Sequence, residues 1–121
     1  MAEHKGFQDL VAAAKKNITE ISPSDAAAAQ KSGGAVIVDV RDKEEFEENH
    51  VPDALNLSRG TIEFEVAERF PDRDTTIICQ CGGGGRSALA AESLQKIGYK
   101  NVRSMAGGFK AWKGAGLPTT K

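Results

Sequence analysis

The sequence predicts an α/β domain built on a mostly parallel sheet with helices on both faces, and three observations lead to that prediction. Two short apolar runs, Ala35-Val36-Ile37-Val38-Asp39-Val40 and Thr75-Thr76-Ile77-Ile78-Cys79, are rich in β-branched residues and lack the polar alternation of a half-exposed strand. Stretches with helical start and stop signals stand between these runs and weaker strand candidates. The 121 residues contain neither internal repeats nor a low-complexity linker, so strands and helices alternate along one domain.

Residues 1–17 read as a helical extension ahead of a domain at 18–121. In the extension, Phe7-Gln8-Asp9-Leu10-Val11 is amphipathic and leads through alanines to Lys15 and Lys16, where cations suit the carbonyl end of a helix. Ile18-Thr19-Glu20-Ile21 alternates like an edge strand. Ser22-Pro23-Ser24-Asp25 then opens an alanine-rich helix that stops at Ser32-Gly33-Gly34, and the first buried strand follows. Asp42 with Glu45 three residues later makes a capping box for a short acidic helix over Lys43–Glu48. After a turn at Pro52-Asp53, Ala54-Leu55-Asn56-Leu57 predicts a short strand, and a helix spans 61–70 before Pro71-Asp72. The second buried strand runs into a glycine loop. Arg86-Ser87 opens the next helix, which reaches Ile97 and closes on Gly98. Val102-Arg103-Ser104-Met105 is the last short strand, Gly107-Gly108 turns the chain into a helix over 109–114, and residues 117–121 read as a tail.

Composition narrows the function. Hydrophobic residues make up 40% and charged residues 27%, as in ordinary globular domains. No run approaches the roughly 18 apolar residues of a membrane span, and the opening MAEHKGFQDLVAAAKKN mixes both charge signs, so a cytoplasmic protein with no membrane partner is expected. The net charge of −1 hides a segregation: residues 1–81 carry 9 basic and 16 acidic side chains, whereas residues 82–121 carry 7 basic ones and Glu92 alone as an acid. A basic segment of this kind attracts small anions, although solvated helix faces produce the same pattern. It is too weakly charged and too poor in aromatics to imply nucleic acid. The two cysteines, Cys79 and Cys81, form neither a disulfide framework nor a zinc site, and no metal or other cofactor is expected.

The segment that carries chemistry is Ile77-Ile78-Cys79-Gln80-Cys81-Gly82-Gly83-Gly84-Gly85-Arg86-Ser87: strand, cysteine, four glycines, arginine, helix. Glycines admit positive φ and let several N–H groups converge on one point, and the helix start adds unpaired N–H groups of its own. An anion in the loop is therefore stabilised before any side chain contributes, and the thiolate of Cys81 is such an anion, which marks it as the nucleophile. Cys79, inside the apolar run, fits packing instead. The loop lacks the Lys-Ser/Thr ending of a nucleotide-phosphate loop.

These residues resemble single-domain rhodaneses over nearly everything from Ile18 to Trp112. Four ordered stretches carry the resemblance. They are Val38-Asp39-Val40-Arg41 with Glu45-Phe46, His50-Val51-Pro52-Asp53-Ala54-Leu55-Asn56, Cys81 through Ser87, and Gly98-Tyr99-Lys100-Asn101-Val102 with Gly107-Gly108-Phe109-Lys110-Ala111-Trp112. The resemblance implies a three-layer sandwich with a five-stranded, mostly parallel sheet. It also implies a sulfurtransferase that takes a sulfane sulfur from an anionic donor such as thiosulfate, holds it as a persulfide on Cys81, and gives it to cyanide or a thiol. Gly82, Gly83, Gly84, Gly85, Arg86 and Ser87 would form the anion cradle, with Arg59 helping to bind the donor. A persulfide relay with little thiosulfate activity, fed by a partner protein, would use the same residues. Related phosphatases place five residues between cysteine and arginine where this chain has four, so a phosphatase or arsenate reductase is the weaker reading.

Other polar residues read as structural. Asp39 and Arg41 are expected to pair and order neighbouring loops, His50 to hold a turn, and Phe109 and Trp112 to sit in the core. The family usually has glycine at the positions of Asn49 and Asp53, two residue types that tolerate positive φ. A disulfide between Cys79 and Cys81 would be strained by their spacing.

Overall fold

The computed structural model describes residues 6–121. Five strands, β1 (Thr19–Ile21), β2 (Val36–Asp39), β3 (Leu55–Asn56), β4 (Ile77–Gln80) and β5 (Val102–Met105), form one sheet in the order β1-β5-β4-β2-β3, with every neighbouring pair parallel. The two β-branched runs are the inner strands β2 and β4, paired in register as Ile37 with Ile78 and Val38 with Cys79. The alternating segment forms the edge strand β1. Each element lies where the sequence places it, within a residue or two at its ends.

Six helices complete the chain: α1 (Phe7–Lys15), α2 (Pro23–Lys31), α3 (Lys43–Glu48), α4 (Ile62–Arg69), α5 (Gly85–Ile97) and α6 (Gly108–Gly114). Because successive strand residues point to opposite faces, β2 and β4 feed two cores. Val38, Ile77 and Cys79 pack with Ile62 and Val66 of α4 and Ala91 and Leu94 of α5. Ile37 and Ile78 pack with Ala26 of α2 and Phe109 and Trp112 of α6. The fully buried Val, Ile and Leu side chains among them each contribute about 1.5–3 kcal/mol, and the sheet between two helical layers is the expected sandwich. Helix α1 adds a third, small cluster by packing Val11 and Ala14 against Ala88 of α5.

The caps follow the sequence signals. Ser22 Oγ accepts a hydrogen bond from Asp25 N at 3.1 Å with Pro23 in the first helical position, and Asp42 N donates to Glu45 Oε1 at 3.1 Å in the α3 capping box. Asp39 and Arg41 form a buried pair: Arg41 Nε and Nη2 donate to the carboxylate at 3.0 and 2.9 Å, and Nη2 also reaches Asn49 O at 2.7 Å. His50 stacks on Phe46 with ring centroids 3.8 Å apart, and its Nδ1 lies 2.7 Å from Phe46 O, a structural role.

Two local details differ from expectation. Asp53 has φ +66 as a glycine substitute should, but Asn49 at φ −170 is extended backbone and makes no demand for glycine. The C-terminal residues are tied down: His50 and Thr120 exchange backbone hydrogen bonds at 2.7 and 2.9 Å, and Trp112 Nε1 donates to Pro118 O at 2.7 Å. The buried indole N–H requires a partner, and the returning chain supplies it. No helix among the described residues is long and apolar enough to cross a membrane.

Candidate functional site

Strand β4 ends at Gln80 and delivers Cys81 at the carboxyl edge of the sheet, beside the start of α5. The carbonyls of the loop are held from behind. Cys81 O accepts from Phe109 N at 2.6 Å and Gln80 Nε2 at 2.9 Å, while Gly82 O accepts from Lys110 N at 3.1 Å. With its carbonyls fixed on α6, the loop can turn its amides toward the cysteine side chain. Gly84 N donates to Cys81 Sγ at 3.0 Å and Ser87 N at 3.3 Å. The thiol donates to Ser87 Oγ at 3.6 Å; that hydroxyl bonds Gly84 O at 3.2 Å and lies 2.8 Å from the buried hydroxyl of Ser104 on β5.

Two of the six loop amides therefore grip the sulfur. Those of Gly82, Gly83, Gly85 and Arg86 make no hydrogen bond to any group among the described residues. The four glycines have different reasons to be there. Only Gly84, at φ +101, uses backbone space that other residues resist. A Cβ on Gly85 would lie 2.9 Å from the Phe7 ring, whereas a Cβ on Gly83 would meet nothing within 4 Å. Cys81 itself is 1% exposed, yet it forms the floor of a cleft of about 290 Å³ bounded by Gly83, Gly85, Arg86 and helix α1. A larger hollow of about 540 Å³ beside Gln30, Pro52 and Trp112 is lined by no cysteine.

Arg86 borders the cleft, but its guanidinium is engaged: Nη1 and Nη2 donate to Glu45 Oε1 and Oε2 at 2.9 and 3.3 Å. Each partner favours the other's charge, so the Glu45 carboxyl is held below its ordinary value by Arg86 and the Arg86 guanidinium is raised by Glu45. Arg59 lies outside the lining of the cleft and pairs with Glu63 on the next helical turn at 3.0 Å. Cys79 is fully buried; burial and then the neighbouring Cys81 push its thiol up to about 12, with Arg59 opposing. That places Cys79 in the core as an unreactive thiol.

Three contributors escape the sequence reading. Glu45 reads there as a cap, Ser104 as a strand residue and Gly108 as half of a turn. Gly108 (φ +61) comes so close to the loop that a Cβ there would overlap Cys81 O and Gly82 backbone, at 2.4 and 2.7 Å. Its only signal is the Gly107-Gly108 pair ahead of a helix. Among the described residues no cluster of His, Cys, Asp and Glu is arranged to hold a metal.

Comparison with known proteins follows the same geometry. Residues 22–115 match the rhodanese-like domain. The thiosulfate sulfurtransferase GlpE of Pseudomonas syringae is 37% identical over 91 residues, covering 75% of this chain and 84% of that protein. Among solved structures, a Rhodopseudomonas palustris protein described as of unknown function and a possible tyrosine phosphatase is 35% identical, with a TM-score of 0.88 over 99% of this chain and 98% of that one. The polysulfide-sulfur transferase homodimer of Wolinella succinogenes is 30% identical, with a TM-score of 0.80 over 94% and 86% of the two chains.

Proposed function

The chain belongs to the rhodanese-like family of sulfurtransferases, and from that premise we propose that it moves a sulfane sulfur from an anionic donor such as thiosulfate to cyanide or a thiol through a persulfide on Cys81. The observation that carries this reading is the position of Cys81 Sγ, 3.0 and 3.3 Å from two donating amides at the floor of an open cleft. In the first half-reaction the Cys81 thiolate attacks the outer sulfur of thiosulfate, the S–S bond of the donor breaks, and sulfite leaves with the bonding pair. In the second, the acceptor attacks the outer sulfur of the persulfide and the Cys81 thiolate leaves with its electrons. Both steps interconvert a thiolate and a disulfide-type sulfur, so the amides of Gly84 and Ser87 assist the nucleophile in one and the leaving group in the other. The open amides of Gly82, Gly83, Gly85 and Arg86 are available to the outer sulfur or to the donor's oxygens.

A phosphate monoester is served less well. It would need the arginine of the loop on its oxygens, and both terminal nitrogens of Arg86 are on Glu45. Arg59, turned to Glu63, would have to change partner to assist a donor.

Intact mass after incubation with thiosulfate tests the proposal. One added sulfur atom on the wild-type protein, absent from Cys81→Ser, is the expected result; a wild-type mass that stays unchanged with thiosulfate and with a persulfide-bearing protein donor overturns it. Turnover with the protein donor but not with thiosulfate assigns the chain to sulfur relay.

A further inference from the structure

Half of the cleft over Cys81 is made by an element that the family match does not include. Helix α1 precedes residues 22–115, yet Phe7, Gln8, Val11 and Lys15 line the cleft together with the cysteine loop. The contact is built rather than incidental. Gly85 leaves room for the Phe7 ring, which a Cβ would meet at 2.9 Å, and Val11 and Ala14 anchor the helix by burial against Ala88 of α5. The Phe7 ring remains 47% exposed at the rim.

Volume indicates what belongs there. At the roughly 30 Å³ that one water takes in the liquid, a cleft of 290 Å³ holds about ten non-hydrogen atoms, and thiosulfate has about five. An anionic head would meet the open amides of the loop, since the cations bordering the cleft are already paired, Lys15 with Glu20 at 3.6 Å and Arg86 with Glu45, while Phe7 and Val11 offer nothing to a small inorganic ion. We propose that α1 is a specificity wall, with Phe7 as its determining residue, and that the cleft prefers sulfane-sulfur donors carrying an apolar substituent on the anionic group over thiosulfate itself.

The chemistry is that of the preceding proposal, on which this one rests. With an organic thiosulfonate, the Cys81 thiolate attacks the terminal sulfur, the S–S bond of the donor breaks, and a sulfinate leaves with the bonding pair. The charge balances, thiolate and thiosulfonate giving a persulfide anion that stays on Cys81 and a sulfinate that departs, and no oxidant or reductant is consumed. The substituent on the sulfinate lies along Phe7 while the sulfur enters the loop, so the ring acts on donor binding and not on the bonds that change.

Steady-state kinetics of the full chain with benzenethiosulfonate and thiosulfate, using cyanide as acceptor, provide the test. In Phe7→Ala the ratio of kcat/KM for the aryl donor to that for thiosulfate is expected to fall about tenfold, through KM of the aryl donor, whereas Phe7→Tyr keeps the wild-type ratio. A ratio that is unchanged in Phe7→Ala, or a fall that appears in kcat alone, overturns the assignment of Phe7. A wild-type protein that takes sulfur from neither small donor but does so from a persulfide-bearing protein overturns the specificity wall, and one that takes sulfur from none of the three overturns the sulfur-transfer reading itself, so the two failures are distinguishable.

Discussion

Arg86 and Glu45 meet through two hydrogen bonds of 2.9 and 3.3 Å, fastening the first turn of α5 to α3 across the edge of the cysteine loop. Glu45 is thereby both the cap of its own helix and the counter-ion of the arginine on which the loop ends. The arginine's cost at the amino end of α5, where the helix dipole opposes a cation, is offset by this carboxylate.

The pair has a pH signature. Arg86 holds the Glu45 carboxyl below its ordinary 4.5, so its stabilising contribution is present above that value and is lost as pH falls through the lower folded-state value. Both side chains are about a third or more exposed, at 34% and 41%, which limits the pair to about 0.2–1 kcal/mol. Urea titrations of wild type and Glu45→Gln should therefore differ by about that amount at pH 7 and converge in acid. A gap that does not narrow as the pH is lowered from 4.5 would show that the carboxylate's charge is not what matters.

Gly108 and Gly83 make a contrasting pair of substitutions. Gly108→Ala forces a Cβ into the Cys81 and Gly82 backbone at a positive φ and should cost about 2–5 kcal/mol, with loss of sulfur loading. Gly83→Ala places its methyl in open space at an ordinary φ and should leave the denaturation midpoint close to wild type. Equal stability of the two variants would mean that α6 does not brace the loop.

Burial that pushes the Cys79 thiol up to about 12 predicts two things. Alkylation of the folded protein at neutral pH should add one label, none in Cys81→Ser, with Cys79 reacting only after unfolding. From pH 9.0 to about 12 the unfolded thiol ionises while the folded one stays protonated, so stability should decline with pH, by up to ~1.4 kcal/mol per unit, and less steeply in Cys79→Ala. Parallel pH–stability curves for the two proteins would contradict it.

The hydroxyls of Ser87 and Ser104, 2.8 Å apart and fully buried, should be energetically coupled. Ser87→Ala leaves the Ser104 hydroxyl without its partner, at about 1–3 kcal/mol, while Ser87→Ala with Ser104→Ala removes both groups and should cost less than the two single losses added. Additive losses in a double-mutant cycle would mean that the hydroxyls do not act as a unit.

How much was legible in advance follows from where each constraint is written. The strands β2 and β4, the capping box at Asp42 and Glu45, the stop at Gly98 and the strand–loop–helix around Cys81 are local patterns of periodicity and turn chemistry. They place Cys81 at its loop within a few residues of chain. The assignments of Asp39 to Arg41 and of His50 to a structural contact were equally local, since their partners lie two and four residues away. The four-glycine run was less informative than it looked, because its composition is the same whether a glycine is needed for φ, as at Gly84, for a neighbour, as at Gly85, or for neither, as at Gly83.

The order of residues alone determined the α/β class, the cysteine at the end of the strand and the kind of loop that surrounds it, because hydrophobic period, helix caps and glycine runs act over a few positions. Only the tertiary structure decided that α6 holds the loop's carbonyls, that Glu45 takes Arg86, that Ser104 backs Ser87, and that α1 walls the cleft. Those contacts join residues from 17 to more than 70 positions apart, and close packing, which no local pattern encodes, is what selects them.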